Sequence, residues 1–354
     1  MKKTAPNGID FGFWKKAKEN AAKEGRPIFV LAPMADVTDA AFRRIIAKYS
    51  RMGHKDGGPD ALWTEFVSAD GLCSPGRQVL LRDLAFSDDE HPIVAQLFSS
   101  RPEKMREAAR LVARLDFDGI DINMGCPDRS IEKQCAGAAM MKDPQNAISV
   151  INAAREGLEH KSIPVSVKTR IGYNKIEIDT WIRTLLEQKL PVLTVHLRTR
   201  KEMSDVPAHW ELMPEIVRLR DEISPQTILI GNGDVLSLAD GQEKAEKSGC
   251  DGIMFGRAIF GNPWLFDGNK GNKENGKSKD GEKTEIEEKL RVLVEHTELF
   301  MQLLGDIKSF AIMKKHYKAY VNGWDGAKEL RMKLMETKDA SGVRAVVDNY
   351  IAEH

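Results

Sequence analysis

Eight short apolar runs, each followed by a helical stretch, constrain this chain more than any other feature. They read PIFVLAPM (27–34), ALWTEFV (61–67), PIVAQLF (92–98), GIDINMG (119–125), PVSVKTR (164–170), VLTVHLR (192–198), TILIGNG (227–233) and GIMFGR (252–257). Each is rich in Val, Ile and Leu and is bounded by Pro, Gly or charged residues, the pattern of parallel strands buried on both faces. The intervening segments carry helical periodicity. Residues 102–117 bring Met105, Ala108, Ala109, Val112 and Leu115 to one face, and residues 178–190 do the same with Trp181, Ile182, Leu185 and Leu186. Strand–helix alternation repeated eight times over about 230 residues predicts an α/β fold, a (β/α)8 TIM barrel, in both number and size. An open doubly wound sheet is the rival, and the even spacing favours closure.

The pattern divides the chain into an N-terminal extension (1–26), the barrel (27–266), a polar linker (267–284) and a C-terminal helical domain (285–354). The linker, DGNKGNKENGKSKDGEKT, has no apolar side chain whose burial could offset the entropy of ordering it, so flexibility is expected. Over residues 308–338 of the helical domain, eight basic side chains (Lys308, Lys314, Lys315, Lys318, Lys328, Arg331, Lys333, Lys338) meet three acidic ones (Asp325, Glu329, Glu336). Such a cluster is either a solvated helix face or a phosphate-contacting surface. Across the 354 residues 53 Lys and Arg balance 53 Asp and Glu, which argues against a surface that coats nucleic acid everywhere and leaves room for a local basic face. No apolar run approaches the ~20 residues of a membrane span. MKKTAPNGID lacks the apolar core of a secretory signal, and the four cysteines form no CxxC pair. The expectation is a soluble cytoplasmic protein with reduced thiols, no bound metal and no membrane association.

In barrels of this type reactive groups gather at the carboxyl ends of the strands. Those ends carry Gln96, Asn123, Lys168 and Arg170, His196 and Arg198, Gly231-Asn232-Gly233-Asp234, and Gly256-Arg257. A single buried Lys or His is usually half of a structural ion pair, whereas polar groups delivered to one end by six strands indicate a functional mouth. Glycine-rich ends on the seventh and eighth strands, followed by Arg257, suit a phosphate, because backbone N–H groups approach an anion only where glycine leaves room. Lys168 could form a Schiff base, or stay cationic beside an anionic flavin ring. Cys126, in the loop leaving the fourth strand, could be a nucleophile or, kept protonated, a proton donor. Cys73, Cys135 and Cys250 read as packing residues.

The segments LAPMADVTDAAFRR, DINMGCPDRSIEKQCAGAAMM, VSVKTRIG, VHLRTR, GNGDV and FGRAIFGNPWLF, in that order, resemble the tRNA-dihydrouridine synthases. The resemblance extends from about residue 27 to about residue 335 and includes MKKHYKAYVNGW and AKELRMKL of the helical region. It implies an FMN-dependent barrel with a helical tRNA-binding domain, which reduces the C5=C6 bond of particular uridines in tRNA with NADPH as reductant. It further implies that Pro33, Met34 and Ala35 line the flavin ring, and that Gln96, Lys168 and His196 make its polar contacts. Asn232, Gly233, Asp234, Gly256 and Arg257 would hold the ribityl chain and phosphate, and Cys126 would be the catalytic general acid. Asn123, Arg170 and Arg198 are the candidates for holding the substrate base and neighbouring phosphates. Three alternatives stay open: an FMN barrel acting on a small molecule, a Schiff-base aldolase using Lys168, and a non-catalytic RNA-binding protein.

Overall fold

A computed structural model describes residues 9–159, 161–268, 270 and 279–354. Nine strands form one all-parallel sheet: β1 (Ile28–Leu31), β2 (Leu62–Trp63), β3 (Val67–Ser68), β4 (Ile93–Phe98), β5 (Gly119–Met124), β6 (Val165–Arg170), β7 (Val192–His196), β8 (Ile228–Asn232) and β9 (Gly252–Phe255). They follow the order β1-β9-β8-β7-β6-β5-β4-β2, with β3 also on β4, and a parallel bridge from Val30 to Ala61 joins the two ends into a barrel. Every residue of β1, β4, β5, β8 and β9 is buried, as expected of strands covered on both faces.

The second apolar run is two short strands instead of one. Thr64 accepts the Gln96 N–H through its own Oγ1 (3.1 Å), so a side chain replaces the backbone ladder between Trp63 and Val67. The first strand also stops early, at Leu31, just before Ala32 and the donor-less Pro33. Helix Pro102–Val112 buries Met105, Ala108, Ala109 and Val112; Leu115 lies beyond its end and is half-buried. Over 178–187 a π-turn (Ile178–Ile182) leads into helix Arg183–Glu187, and Trp181, Ile182, Leu185 and Leu186 are all buried.

The chain divides into two compact units. The first comprises residues up to Met34, Pro59–Leu84 and His91–Gly256; the second comprises Ala35–Gly58, Ala85–Glu90 and Arg257–His354. In the first, the N-terminal extension is structural. Helix Trp14–Lys23 buries Trp14, Ala17 and Ala21 in one cluster with Ile28, Val192 and Ile228, the first residues of their strands. Phe13 lies 3.5 Å from where a Cβ on Gly119 would stand. The extension therefore covers the amino ends of the strands and leaves the carboxyl ends for chemistry.

The second unit takes in helix Ala40–Tyr49, which supplies Ala41 and Ile45 to a core with Leu290, Leu293, Phe300, Tyr317, Leu330 and Val347. Arg43 and Glu90, both fully buried, pair at 2.7 Å, and Arg43 also donates to the Thr38 and Ala85 carbonyls. That network ties 35–58 to 85–90, a long-range link invisible in local periodicity. Of the polar segment 267–284, residues 269 and 271–278 lie outside the described residues, and helix Lys279–Leu304 already begins at Lys279. No helix among the described residues is long and apolar enough to cross a membrane.

Two histidines lie in the core of the second unit. The His296 and His316 rings pack at 4.7 Å, against Phe42, and neither His296 nitrogen nor His316 Nε2 has a hydrogen-bond partner. Burial pushes His316 down to about 4, with Lys315 adding to the effect, and pushes His296 well below the usual range, with His316 adding. In the unfolded chain both rings titrate near 6.5, so below that pH the unfolded state binds more protons and stability falls toward pH 4. Each ring contributes a slope of about 1.4 kcal/mol per pH unit in that window. Urea unfolding followed at pH 7 and pH 5 should show the loss, and His316→Leu should reduce it; an unchanged pH dependence in that variant would contradict the assignment.

Candidate active site

Successive side chains of a strand point to opposite faces, so the interior of the barrel is reached in steps of two residues. Along β5 this brings Asp121 and Asn123 to the same face, and along β6 it does the same for Lys168 and Arg170. The ladder pairs Gln96 with Asp121 and Asp121 with Ser166; one step nearer the carboxyl end, Asn123 pairs with Lys168; and at the rim Arg170 pairs with His196, and His196 with Asn232. The mouth is thus a stack of polar layers built by register.

Asp121 is the residue that the sequence reading missed. It is fully buried and accepts from Gln96 Nε2 at 2.6 Å and from Ser166 Oγ at 2.6 Å. Burial raises its carboxyl to about 6; the Ser166 and Gln96 hydrogen bonds, the Lys168 charge and the Trp63 indole hold it there against a larger rise. The available signal was its position two residues before Asn123 in an otherwise apolar strand. Lys168 shows the opposite displacement. Burial, then repulsion from Arg170, lowers its ammonium to about 8, while Asp121 and Cys126 oppose the fall. Its Nζ donates to Asn232 Oδ1 at 3.2 Å, and the side chain remains partly open to the mouth.

Asn123 holds the cysteine loop. Its Oδ1 accepts from the Gly125 N–H (3.1 Å) and the Cys126 N–H (2.9 Å), and its Nδ2 donates to Gln96 Oε1 (3.1 Å). The Cys126 carbonyl accepts from the Ala138 N–H at 2.9 Å, and a Cβ on Gly137 (φ +59°) would lie 2.7 Å from that carbonyl oxygen. Cys126 packs against the cluster of Phe98, Ile131 and Ala136. Burial pushes its pKa up; the Asp128 N–H, Arg170 and Lys168 pull the other way without reversing the shift.

The two arginines proposed as substrate contacts are also engaged with loops. Arg170 Nε donates to the Gly125 carbonyl (3.0 Å), and its Nη1 to the carbonyls of Thr199 (3.0 Å) and Met203 (2.7 Å). Arg198 donates to the Val206 carbonyl (2.6 Å), pairs with Asp234, and donates from Nη1 to His196 Nε2 (3.1 Å). The last contact makes Nε2 of His196 an acceptor. The hydrogen bonds described for Asn123, Arg170 and Arg198 thus tie the loops after β5 and β7 to the barrel.

The donor set suits an anionic, phosphate-bearing aromatic cofactor. Lys168 is a cation with one described hydrogen bond and three N–H groups. Gly233, at φ +125°, lies where a Cβ would meet Ala208 Cβ at 2.8 Å, so the strand end after Asn232 packs beside Ala208 only as glycine. Pro33 and Met34 are half-buried, and Met34 Sδ is 3.9 Å from where a Cβ on Gly256 would stand. Gln96 is tied at both ends, to Asp121 and Asn123. Ala35 and Arg257 are exposed first residues of segments in the second unit. Among the described residues no three His, Cys, Asp or Glu side chains are grouped to hold a metal ion.

Comparison with known proteins gives a consistent set. The family model described as "Dihydrouridine synthase (Dus)" matches residues 30–354. A Staphylococcus aureus (strain Mu50) protein named "Probable tRNA-dihydrouridine synthase" is 41% identical over 340 residues, 95% of this chain and 97% of the relative. The Bacillus subtilis (strain 168) "Probable tRNA-dihydrouridine synthase 2" is 40% identical over 328 residues, 92% of this chain and 94% of the relative. Among solved structures, a 2-naphthoyl-CoA reductase complex is similar with a TM-score of 0.50 at 9% identity, covering 67% of this chain and 49% of that one, which is a likeness of fold alone.

A raised thiol pKa has a direct chemical readout. Iodoacetamide alkylation of Cys126, followed by peptide mass spectrometry, should be slow at neutral pH and still accelerate above pH 9. A rate that levels off below pH 8 would mean a stabilised thiolate instead.

Proposed function

The chain belongs to the dihydrouridine synthase family, and on that premise we propose that it acts in the cytoplasm as an FMN-dependent enzyme that reduces the C5=C6 bond of particular uridines in tRNA, with NADPH as reductant. The observation that carries this reading is a thiol held protonated in a braced loop, within electrostatic reach of a strand-end ammonium. When bound, FMN would supply the hydride that C6 of the uracil receives. The remaining work falls to the chain's own residues.

Lys168 would offer its cation to the flavin ring from a partly buried position. His196 and Gln96 would be further polar contacts to the ring, and Pro33, Met34 and Ala35 would line it. Asn232, Gly233, Asp234, Gly256 and Arg257 would take the ribityl chain and phosphate; of these, Asp234 also anchors Arg198. Cys126 would give its proton to C5 as C6 gains hydride, so that the bond is reduced without leaving charge on the ring. Asn123, Arg170 and Arg198 hold the loops around the base. The target uridine has to leave its stack to reach the mouth.

The second unit would hold the RNA. Lys318, Lys328 and Arg331, with Met332, Met335 and Glu336, line a surface groove there, suited to phosphates beside apolar contact. Not all the basic side chains of this region are available: Lys314 donates to the Met335 carbonyl, Arg331 Nη1 to that of Val321, and Lys315 to Asp36.

Cys126→Ala tests the assignment. The variant should bind FMN and be reduced by NADPH as the parent protein is, yet form dihydrouridine in unmodified tRNA at least about 100-fold more slowly, a typical loss for a general acid. Full activity would remove Cys126 from the mechanism. Turnover of free uracil or uridine at a rate equal to tRNA would favour the small-molecule reading.

A further inference from the structure

One chain of hydrogen bonds from the cysteine loop into the barrel interior runs in a single direction. The Cys126 and Gly125 N–H groups donate to Asn123 Oδ1, Asn123 Nδ2 donates to Gln96 Oε1, and Gln96 Nε2 donates to Asp121 Oδ2. The three side chains are buried, Gln96 and Asp121 completely. We infer that Asp121 is a positioning residue for the reaction: as the acceptor end of this one-way chain, it sets the orientation of two amides and thereby fixes the loop that presents Cys126.

The two ends of the chain differ in what they can do. A backbone N–H only donates, and an ionised carboxylate only accepts. Each amide between them could turn either way, but a single pair of orientations satisfies both ends. Ser166 does not compete for that choice, because its hydroxyl donates to the other carboxylate oxygen, Oδ1. Both carboxylate oxygens accept, from Gln96 and from Ser166, and although burial raises Asp121 to about 6 the accepting, ionised form still prevails at neutral pH. Aligned bonds polarise one another, so the chain holds the loop more firmly than its links taken singly.

Replacing the carboxylate by its isosteric amide removes the direction while keeping the shape. An amide at 121 can offer an N–H to Gln96, which can then turn its oxygen toward it. The turned Gln96 faces Asn123 donor to donor, and an Asn123 that turns in response presents an N–H to the N–H groups of Gly125 and Cys126. The loop loses its anchor two links away from the substitution. A simple charge partner of Lys168 would not have this effect at Cys126.

The inference rests on Cys126 being the proton donor only for its consequence in turnover, so the primary readout is the thiol itself. In Asp121→Asn, alkylation of Cys126 by iodoacetamide at pH 8, resolved from the other cysteines by peptide mass spectrometry, should rise at least about threefold as the loop loosens. Gln96→Met, an uncharged side chain of similar length that removes both central links, should give a similar rise. The double variant should then exceed neither single one, as expected of residues acting in series. In single turnover, Asp121→Asn should slow tRNA-dependent flavin reoxidation about tenfold or more and leave NADPH reduction within about threefold.

Unchanged Cys126 alkylation in Asp121→Asn overturns the chain, whatever happens to turnover; should that variant fail to fold, unchanged alkylation in Gln96→Met does the same. Faster alkylation with unchanged reoxidation by tRNA overturns the positioning role. A fully active Cys126→Ala is a different result, which strikes the proton-donor reading and not the loop-holding chain.

Discussion

Burial of opposite charges inside a closed parallel sheet is the constraint on which the mouth depends. The pleat sends every second side chain inward, and closure through Val30 and Ala61 leaves no open edge between β1 and β2 where water could reach the inward face. Asp121 and Lys168 therefore share a poorly hydrated interior, and their pKa values move toward each other, to about 6 and about 8. Asp121 is held back from a larger rise first by its Ser166 and Gln96 hydrogen bonds and then by the Lys168 charge, and the Asp121 charge in turn limits the fall of Lys168. The amides of Gln96 and Asn123 extend this arrangement outward, so the state of a carboxylate deep in the barrel is felt at a loop on its rim.

The division of labour between the two ends of the barrel follows from packing. Trp14 and its helix fill the amino ends with aromatic and aliphatic side chains, which anchors the strands and leaves no room for chemistry. At the carboxyl ends, Arg170 acts through backbone carbonyls and Arg198 through the Val206 carbonyl, Asp234 and His196, binding the loops after β5 and β7 to neighbouring strands. Rigidity at the mouth is thus supplied by charged side chains whose hydrogen bonds end on the protein itself. Cys126 shows the benefit: a loop held by Asn123 on one side and by Arg170 on the other presents a thiol that burial keeps protonated.

Much of this was legible in the residues. The eight apolar runs located the strands to within a few residues, because parallel strands buried on both faces leave continuous apolar signatures. The polar residues at their carboxyl ends marked the mouth, and the neighbouring Gly and Pro singled out Cys126 from the other cysteines. Asp121 escaped because a lone acid in an apolar strand looks like an exception until register shows Gln96 on one side of it and Ser166 on the other. The roles of Asn123, Arg170 and Arg198 in bracing loops were equally hidden, since the loop groups they hold are backbone carbonyls and N–H groups that carry no sequence signal. The grouping of 35–58 with the C-terminal helices comes from Ala41 and Ile45 packing into their core, and 85–90 joins through Glu90 meeting Arg43 across 47 positions; periodicity reports neither contact.

The central claim is that this barrel passes reducing equivalents to a uridine presented by tRNA. It is tested most directly without oxygen: the protein is loaded with FMN, reduced with NADPH, and mixed with unmodified tRNA while the flavin absorbance is followed. The account predicts rapid reoxidation by tRNA and none by free uridine at the same nucleoside concentration. A flavin that reduces but ignores tRNA, or a protein that takes up no flavin, would contradict it.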